Sequence, residues 1–316
     1  VHDQGSHSEK AGSVTEAATV VDRAGVSRRI ARKNPKLNAY RAGVRRGIIS
    51  ARIMLSTPSE VLGSVVPLAI LIGVLLFMQR GSFKNAPVGL GAMSFPSIIA
   101  MGVLFSAVMG ILSTLSMDRT NGTLLRSKSV PRGTTGYLVG EITANALVSI
   151  VSAILLLIVG LVIFDELVFG SPFRWLLFAA VLLLGLTALL AIGAALGSLI
   201  SSPKNLGLVF MPMMGLIGIS GIFYPLVALP VWLQWIAQVF PLYWFGLGMR
   251  ASLLPEQMAA VEVAGSWRIE WVFVVLILWA IVSITLAPKL LGRMAKRESG
   301  SAMAARRRDI QQQWGV

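Results

Sequence analysis

Long apolar runs alternate with short polar breaks along most of the chain. Six runs approach the roughly twenty residues that a helix needs to cross a bilayer: about 61–78, 95–116, 135–164, 175–200, 206–227 and 271–291. Ahead of them, residues 36–58 repeat apolar side chains at three- and four-residue steps, through Leu37, Tyr40, Val44, Ile48, Ala51 and Leu55. That spacing predicts an amphipathic helix, with Arg41, Arg45 and Arg52 along one flank. Pro58 ends it or turns the chain. Such a helix either lies in the inner-leaflet interface with its arginines at headgroups or packs on a cytosolic partner.

Two breaks differ from ordinary loops. Residues 118–132, DRTNGTLLRSKSVPR, are the one strongly polar, basic stretch enclosed between long apolar runs. Residues 228–248 are apolar and aromatic but too short to span, and Pro230 and Pro241 bracket one short helix. This pattern predicts a re-entrant or interfacial segment, with Trp232, Trp235, Tyr243 and Trp244 at headgroup depth. The stretch from Arg250 to Arg268 then reads as an outer loop or short helix. Within the second run, Gly102, Ser106, Gly110 and Thr114 recur every fourth residue, a small-residue stripe that admits another helix backbone. Gly193 and Gly197 repeat the spacing in the fourth run.

Composition agrees with a polytopic all-α membrane protein. Of 316 residues, 55% are hydrophobic and 13% charged, where soluble domains carry about 25% charged residues. Cysteine is absent, and both histidines, His2 and His7, lie near the start. Thiolate chemistry and histidine catalysis are thereby excluded from the body of the chain. The net charge of +14 raises the question of nucleic acid. Its distribution answers it. With both termini inside, inner segments hold 23 Lys and Arg against 5 outside, which orients the spans. Residues 1–35 read as a disordered basic cytoplasmic tail, with no apolar signal-peptide segment. Residues 292–316 form a second basic tail.

Catalytic signatures are missing. The dipeptide Gly-Lys never occurs, so there is no P-loop. No metal centre is expected, and Asp165 and Glu166 at the outer end of the third span read as an exposed acidic turn, the alternative being a metal or cation site at the mouth. Glu141 stands about two turns into the third span. It is either a functional intramembrane acid or the partner of Arg132 or another basic group.

Two patterns carry a resemblance. The first is Asp118, Gly122-Thr123-Leu124, Val130-Pro131-Arg132 and Tyr137-Leu138-Val139-Gly140. The second runs from Gly221-Ile222-Phe223-Tyr224-Pro225 through Leu229-Pro230-Val231-Trp232-Leu233 to Pro241-Leu242-Tyr243 and Arg250. Over about 40–295 the chain resembles type-2 ABC exporter permeases, especially the daunorubicin-resistance-like branch. The family commonly has Glu where Leu125 stands, and Lys or Arg where Glu141 stands.

The resemblance implies half of an ATP-driven exporter for an amphipathic or lipophilic molecule such as a drug, lipid or peptide antibiotic. It implies two ATP-binding subunits, a second permease copy or sister chain, and a cell inner-membrane location. No cofactor is expected in this chain; ATP and Mg belong to the partner. The segment 118–132 becomes the ATPase-coupling element. In it Asp118 caps the following helix, Gly122-Thr123 make the turn, and Pro131 stops it before the third span. Leu124 and Leu125 are docking knobs, while Arg119 and Arg126 meet acidic partner groups. Phe105, Met109, Phe210, Met211, Met213 and Met214 are candidate path residues, or else face lipid or neighbouring helices. Phe223, Pro225, Pro230, Trp232, Trp235, Pro241 and Tyr243 build the outer re-entrant segment. An ion-coupled carrier and a membrane-embedded lipid-modifying enzyme are the alternatives.

Overall fold

The computed structural model describes residues 35–79, 81, 88–130, 132–168, 170–200 and 203–297. Of the expected tails, 1–35 and 292–316, residues 1–34 and 298–316 lie outside the described residues, as does the expected stop Pro131. The chain is helical, with no strand among the described residues. In order, the helices are α1 (Pro35–Ser56), α2 (Pro58–Met78), α3 (Leu90–Asn121), α4 (Thr123–Lys128), α5 (Gly133–Ile163) and α6 (Pro172–Leu199). They continue with α7 (Gly207–Ile219), α8 (Val231–Val239), α9 (Pro241–Leu253) and α10 (Ile269–Arg297). The last one runs six residues into the stretch expected as a tail.

Four helices of the described residues are long and apolar enough to cross a membrane: α3, α5, α6 and Ile269–Met294 of α10. Of the other two expected spans, the first, 61–78, lies wholly within α2, and the fifth is shorter, as the apolar stretch Gly207–Ile219. The reason at α7 is local. Ser220 folds its hydroxyl back onto the Leu216 carbonyl, and Gly221 follows at φ 65°. A left-handed residue ends a helix, and glycine adopts that conformation without steric cost.

In a bilayer, lipid tails are as apolar as leucine, so close backbone approach and satisfied polar groups must hold helices together. Both small-residue stripes do this. Gly102 faces Leu156 of α5, and the Ser106 and Ser149 hydroxyls bond at 2.7 Å. On the other side of α3, Gly193 of α6 abuts the backbone of Val108, and Gly197 abuts Leu115. At the centre sits α9, with all thirteen residues buried, packed on α3, α6 and α10.

Tyr243 and Trp244 are therefore internal to the protein. Pro230 and Pro241 bracket the short helix α8 as expected, and Pro241 also opens α9. Only the α8 aromatics, Trp232 and Trp235, are exposed.

The N-terminal helix forms as expected, but a different face packs. Leu37, Tyr40, Val44, Ile48 and Leu55 stay exposed; of that stripe only Ala51 is buried. Instead, Gly43 and Gly47 press on Gly136 and Gly140 of α5. A Cβ on either α1 glycine would lie 2.5 Å from the facing carbonyl oxygen. Two Gly-x-x-x-Gly pairs thus meet in register, and α1 runs in the same direction as the polar first third of α5.

Candidate functional site

The end of α3 and the turn after it form the site that the sequence singles out. Gly122 adopts φ 76°, and its N–H bonds back to the Asp118 carbonyl. This left-handed residue reverses the chain into the six-residue α4. Leu124 is 1% exposed and belongs to the core, so it is no docking knob. Leu125 and Thr123 are half-buried, and Arg126, Lys128 and Arg132 are exposed. Met117 and Val130 add exposed apolar surface. The Arg126 guanidinium donates to the Asn121 carbonyl, at 3.2 Å.

Asp118 does not cap α4. It lies within the last turn of α3, and its carboxylate accepts the Tyr137 hydroxyl of α5 at 2.6 Å. The cap position of α4 is Gly122, whose lack of a side chain leaves the turn to backbone geometry. Arg119 does not face a partner either. It is 3% exposed and donates to the carbonyls of Gly197 (3.0 Å), Ser198 (2.8 Å) and Ile200 (2.7 Å) at the end of α6. A helix C-terminus presents unsatisfied carbonyls and partial negative charge, which a guanidinium satisfies. Adjacent residues of α3 therefore grip two different spans.

Asp118 also leads back to α1. Arg46 stacks over the Tyr137 ring, 5.0 Å from its centroid, and pairs with Glu141 at 3.2 Å. Glu141 thus pairs with a basic group, though not with Arg132. Its backbone carbonyl accepts the Asn145 amide at 2.9 Å. The arrangement holds a turn between two membrane helices against its neighbours, with its basic outer face exposed.

A family model described as ABC-2 family transporter protein matches residues 76–283, well over half of the chain. The chain belongs to the ABC-2 transporter family. It is a multi-pass membrane permease subunit of an ABC transporter, and the family implies an ATP-binding partner subunit. No curated protein matches it.

At the other end of α3 the permease carries a second polar cluster. Arg250 of α9 pairs with Glu262, Nε to Oε1 at 2.7 Å, and both side chains are almost fully buried. The guanidinium also donates to the Ser97 hydroxyl of α3 and, at 3.1 Å, to the Gly221 carbonyl. The expected outer loop is thus anchored inward at both Arg250 and Glu262. Close by in sequence, Arg268 bonds the Tyr243 hydroxyl at 2.6 Å and lies 4.8 Å over the Trp244 ring.

The six candidate path residues do not form one lining. The rings of Phe105 and Phe210 approach to 6.2 Å. Met213 is buried, while Met211, two residues before it and so on nearly the opposite helix face, is 74% exposed. Met109 and Met214 are half-buried. Phe105 to Met109 form a π-helical turn inside α3, a feature that often marks functional sites and that no sequence period announces. In the outer segment, Pro225 and Pro230 flank the 3-10 turn Leu226–Ala228, and the Phe223 carbonyl accepts the Ser94 hydroxyl at 2.9 Å.

Sequence reasoning missed the Arg46–Glu141 pair, the Tyr137–Asp118 bond, the Arg119 grip and the Arg250–Glu262 pair. One signal was available. Gly43-x-x-x-Gly47 and Gly136-x-x-x-Gly140 stand in the sequence, and their pairing would have brought Arg46 beside Glu141.

Proposed function

We propose that this permease forms half of the translocation path of an ATP-driven exporter of amphipathic or lipophilic molecules, of the daunorubicin-resistance-like type. A separate subunit binds ATP and Mg and docks on the turn 118–132. One observation carries the reading: a short helix with an exposed basic face joins two membrane-crossing helices, and its root grips α5 through Asp118 and α6 through Arg119. A push on that turn moves three helices together, which is what a two-state transporter requires.

In this reading α2 and α7 supply the first and fifth of six spans in a cell inner membrane, with both termini cytoplasmic. α7 faces the second permease copy. Gly207, Gly215 and Gly218 share its exposed side, where an added Cβ meets nothing within 4 Å. Small residues there let a second backbone approach. Phe105 and Phe210 lie on the inner side of that helix and contact cargo.

The test is co-purification of the tagged permease with the ATP-binding subunit. Leu125→Asp or Arg126→Glu is expected to release the subunit while the permease elutes unchanged. Leu124→Asp is unsuitable, because it places a charge in the core. Full retention of the subunit by both variants would overturn the docking site, and ATP-independent transport by the permease alone would overturn the function.

A further inference from the structure

The outward face of α1 has an arrangement that neither coupling nor packing uses. Arg41, Arg45 and Arg52 fall within one narrow sector of the helix, directly opposite the glycines that meet α5. Tyr40, Val44 and Ile48 form an exposed apolar shoulder on one side of them, and Ile49 stands on the other. Together these residues line a shallow, open trough on the outward face of this one helix. No acidic residue occurs anywhere in Pro35–Ser56. Arg46, the fourth arginine of the helix, is committed to Glu141.

We propose that this trough binds an anionic phospholipid, its phosphate held between Arg41 and Arg45 and its upper acyl chains lying along Tyr40, Val44 and Ile48.

Three observations select this occupant. Arginines flanked on both sides by exposed apolar side chains fit a ligand that carries an anion and hydrocarbon together; a free phosphate would leave the shoulders in water. The helix runs beside the base of a membrane-crossing helix and leads directly into α2, so the trough lies where headgroups are. The residues just ahead of the helix are a poor occupant by charge, since 23–34 hold five basic and no acidic residues. Arg52, about 16 Å further along the helix axis from Arg41, meets a neighbouring headgroup. The inference rests on membrane embedding and not on the ATP-driven reading.

The absence of cysteine permits a local probe. The full chain carrying Ile49→Cys is labelled with bimane and reconstituted into phosphatidylcholine vesicles. A minor fraction of brominated-chain phosphatidylglycerol, or of brominated-chain phosphatidylcholine, is included. Brominated phosphatidylglycerol is expected to quench more strongly. Arg41→Gln with Arg45→Gln and Arg52→Gln should abolish the difference, each removal weakening the preference about fivefold. The corresponding three lysine substitutions should retain most of it.

Neutralising Arg126, Lys128 and Arg132 instead should leave it unchanged. Equal quenching by the two lipids overturns the proposal, as does a preference that survives the glutamine substitutions or follows the α4 charges. Displacement by inorganic phosphate assigns the trough to a free anion and also overturns it. If the glutamine variant fails to reconstitute, the single variants Arg41→Gln and Arg45→Gln, each with its expected partial loss, decide the matter.

Discussion

Two arginine-centred clusters sit at opposite ends of α3, and they are built on opposite principles. Ser97 near the first turn and Asp118 near the last are about 32 Å apart along the helix axis. At the Ser97 end, Arg250 and Glu262 are 2% and 1% exposed in their side chains, and the guanidinium is further held by Ser97 and the Gly221 carbonyl. The cluster is closed on itself. At the Asp118 end the contacts run in series: Arg46 to Glu141 and over Tyr137, and Tyr137 to Asp118. The Arg46 side chain is 44% exposed. A buried, multiply bonded charge pair fixes one geometry, because any break strands a charge. A half-solvated pair yields at little cost, because water replaces what is lost. The permease therefore has one end suited to holding the α3, α7 and α9 termini together and one suited to being moved.

The sharpest way to break this comparison is to remove one half of the closed pair. Glu262→Ala leaves the Arg250 guanidinium buried without its counter-charge, which costs about 3–5 kcal/mol. Thermal unfolding in detergent should show a large loss of stability. Arg250→Met combined with Glu262→Leu should recover most of it, since an apolar pair of similar volume strands no charge. A single Glu262→Ala as stable as the parent would mean that the cluster does not lock this end.

Arg119 comes next. It is as buried as the closed pair and holds three backbone carbonyls at the end of α6. Arg119→Gln loses charge-assisted bonds and leaves carbonyls unsatisfied, for about 2–3 kcal/mol. Hydrogen exchange should quicken over the last turn of α6 and the start of α7, while α9 keeps its protection. Loss of protection spread evenly over the bundle would show a general packing role instead of a grip on one junction.

The contrast between the clusters also marks what the sequence discloses. Spans α3, α5, α6 and α10 are legible because membrane crossing demands long apolar runs, and the two glycine stripes read correctly because their spacing is the contact. The turn at Gly122 was legible for the same local reason. What failed was long-range. Asp118 reads as a cap, since Asp ahead of a short helix commonly is one, but Tyr137 nineteen residues later claims its carboxylate. Leu124 and Leu125 look alike in the sequence, and only tertiary packing makes the first core and leaves the second half-exposed. Arg250 and Glu262 read as loop charges because nothing local says that α9 folds inward. For α1, hydrophobic periodicity pointed to the larger side chains, whereas helix contact selected the smallest.

The smallest expected effect belongs to the pair that α1 makes. Arg46→Gln removes an ion pair whose arginine is 44% exposed and whose Glu141 is only 10% exposed, so its cost to global stability should stay well below that of Glu262→Ala. Its local effect should be larger than its global one. The Gly43 and Gly47 contacts with Gly136 and Gly140 remain, so α1 stays on α5, but its amides should exchange faster. Glu141→Gln should act the same way, and the double variant should be no worse than either single, because both remove one interaction. High salt should reproduce part of the effect in the parent protein and add nothing in the variants, since a pair with one exposed partner is partly screened. The Arg250–Glu262 end should keep its protection throughout. If instead Arg46→Gln destabilised the whole bundle as much as Glu262→Ala, the open end would be as rigid as the closed one, and the turn at Gly122 would have no compliant root on which to move.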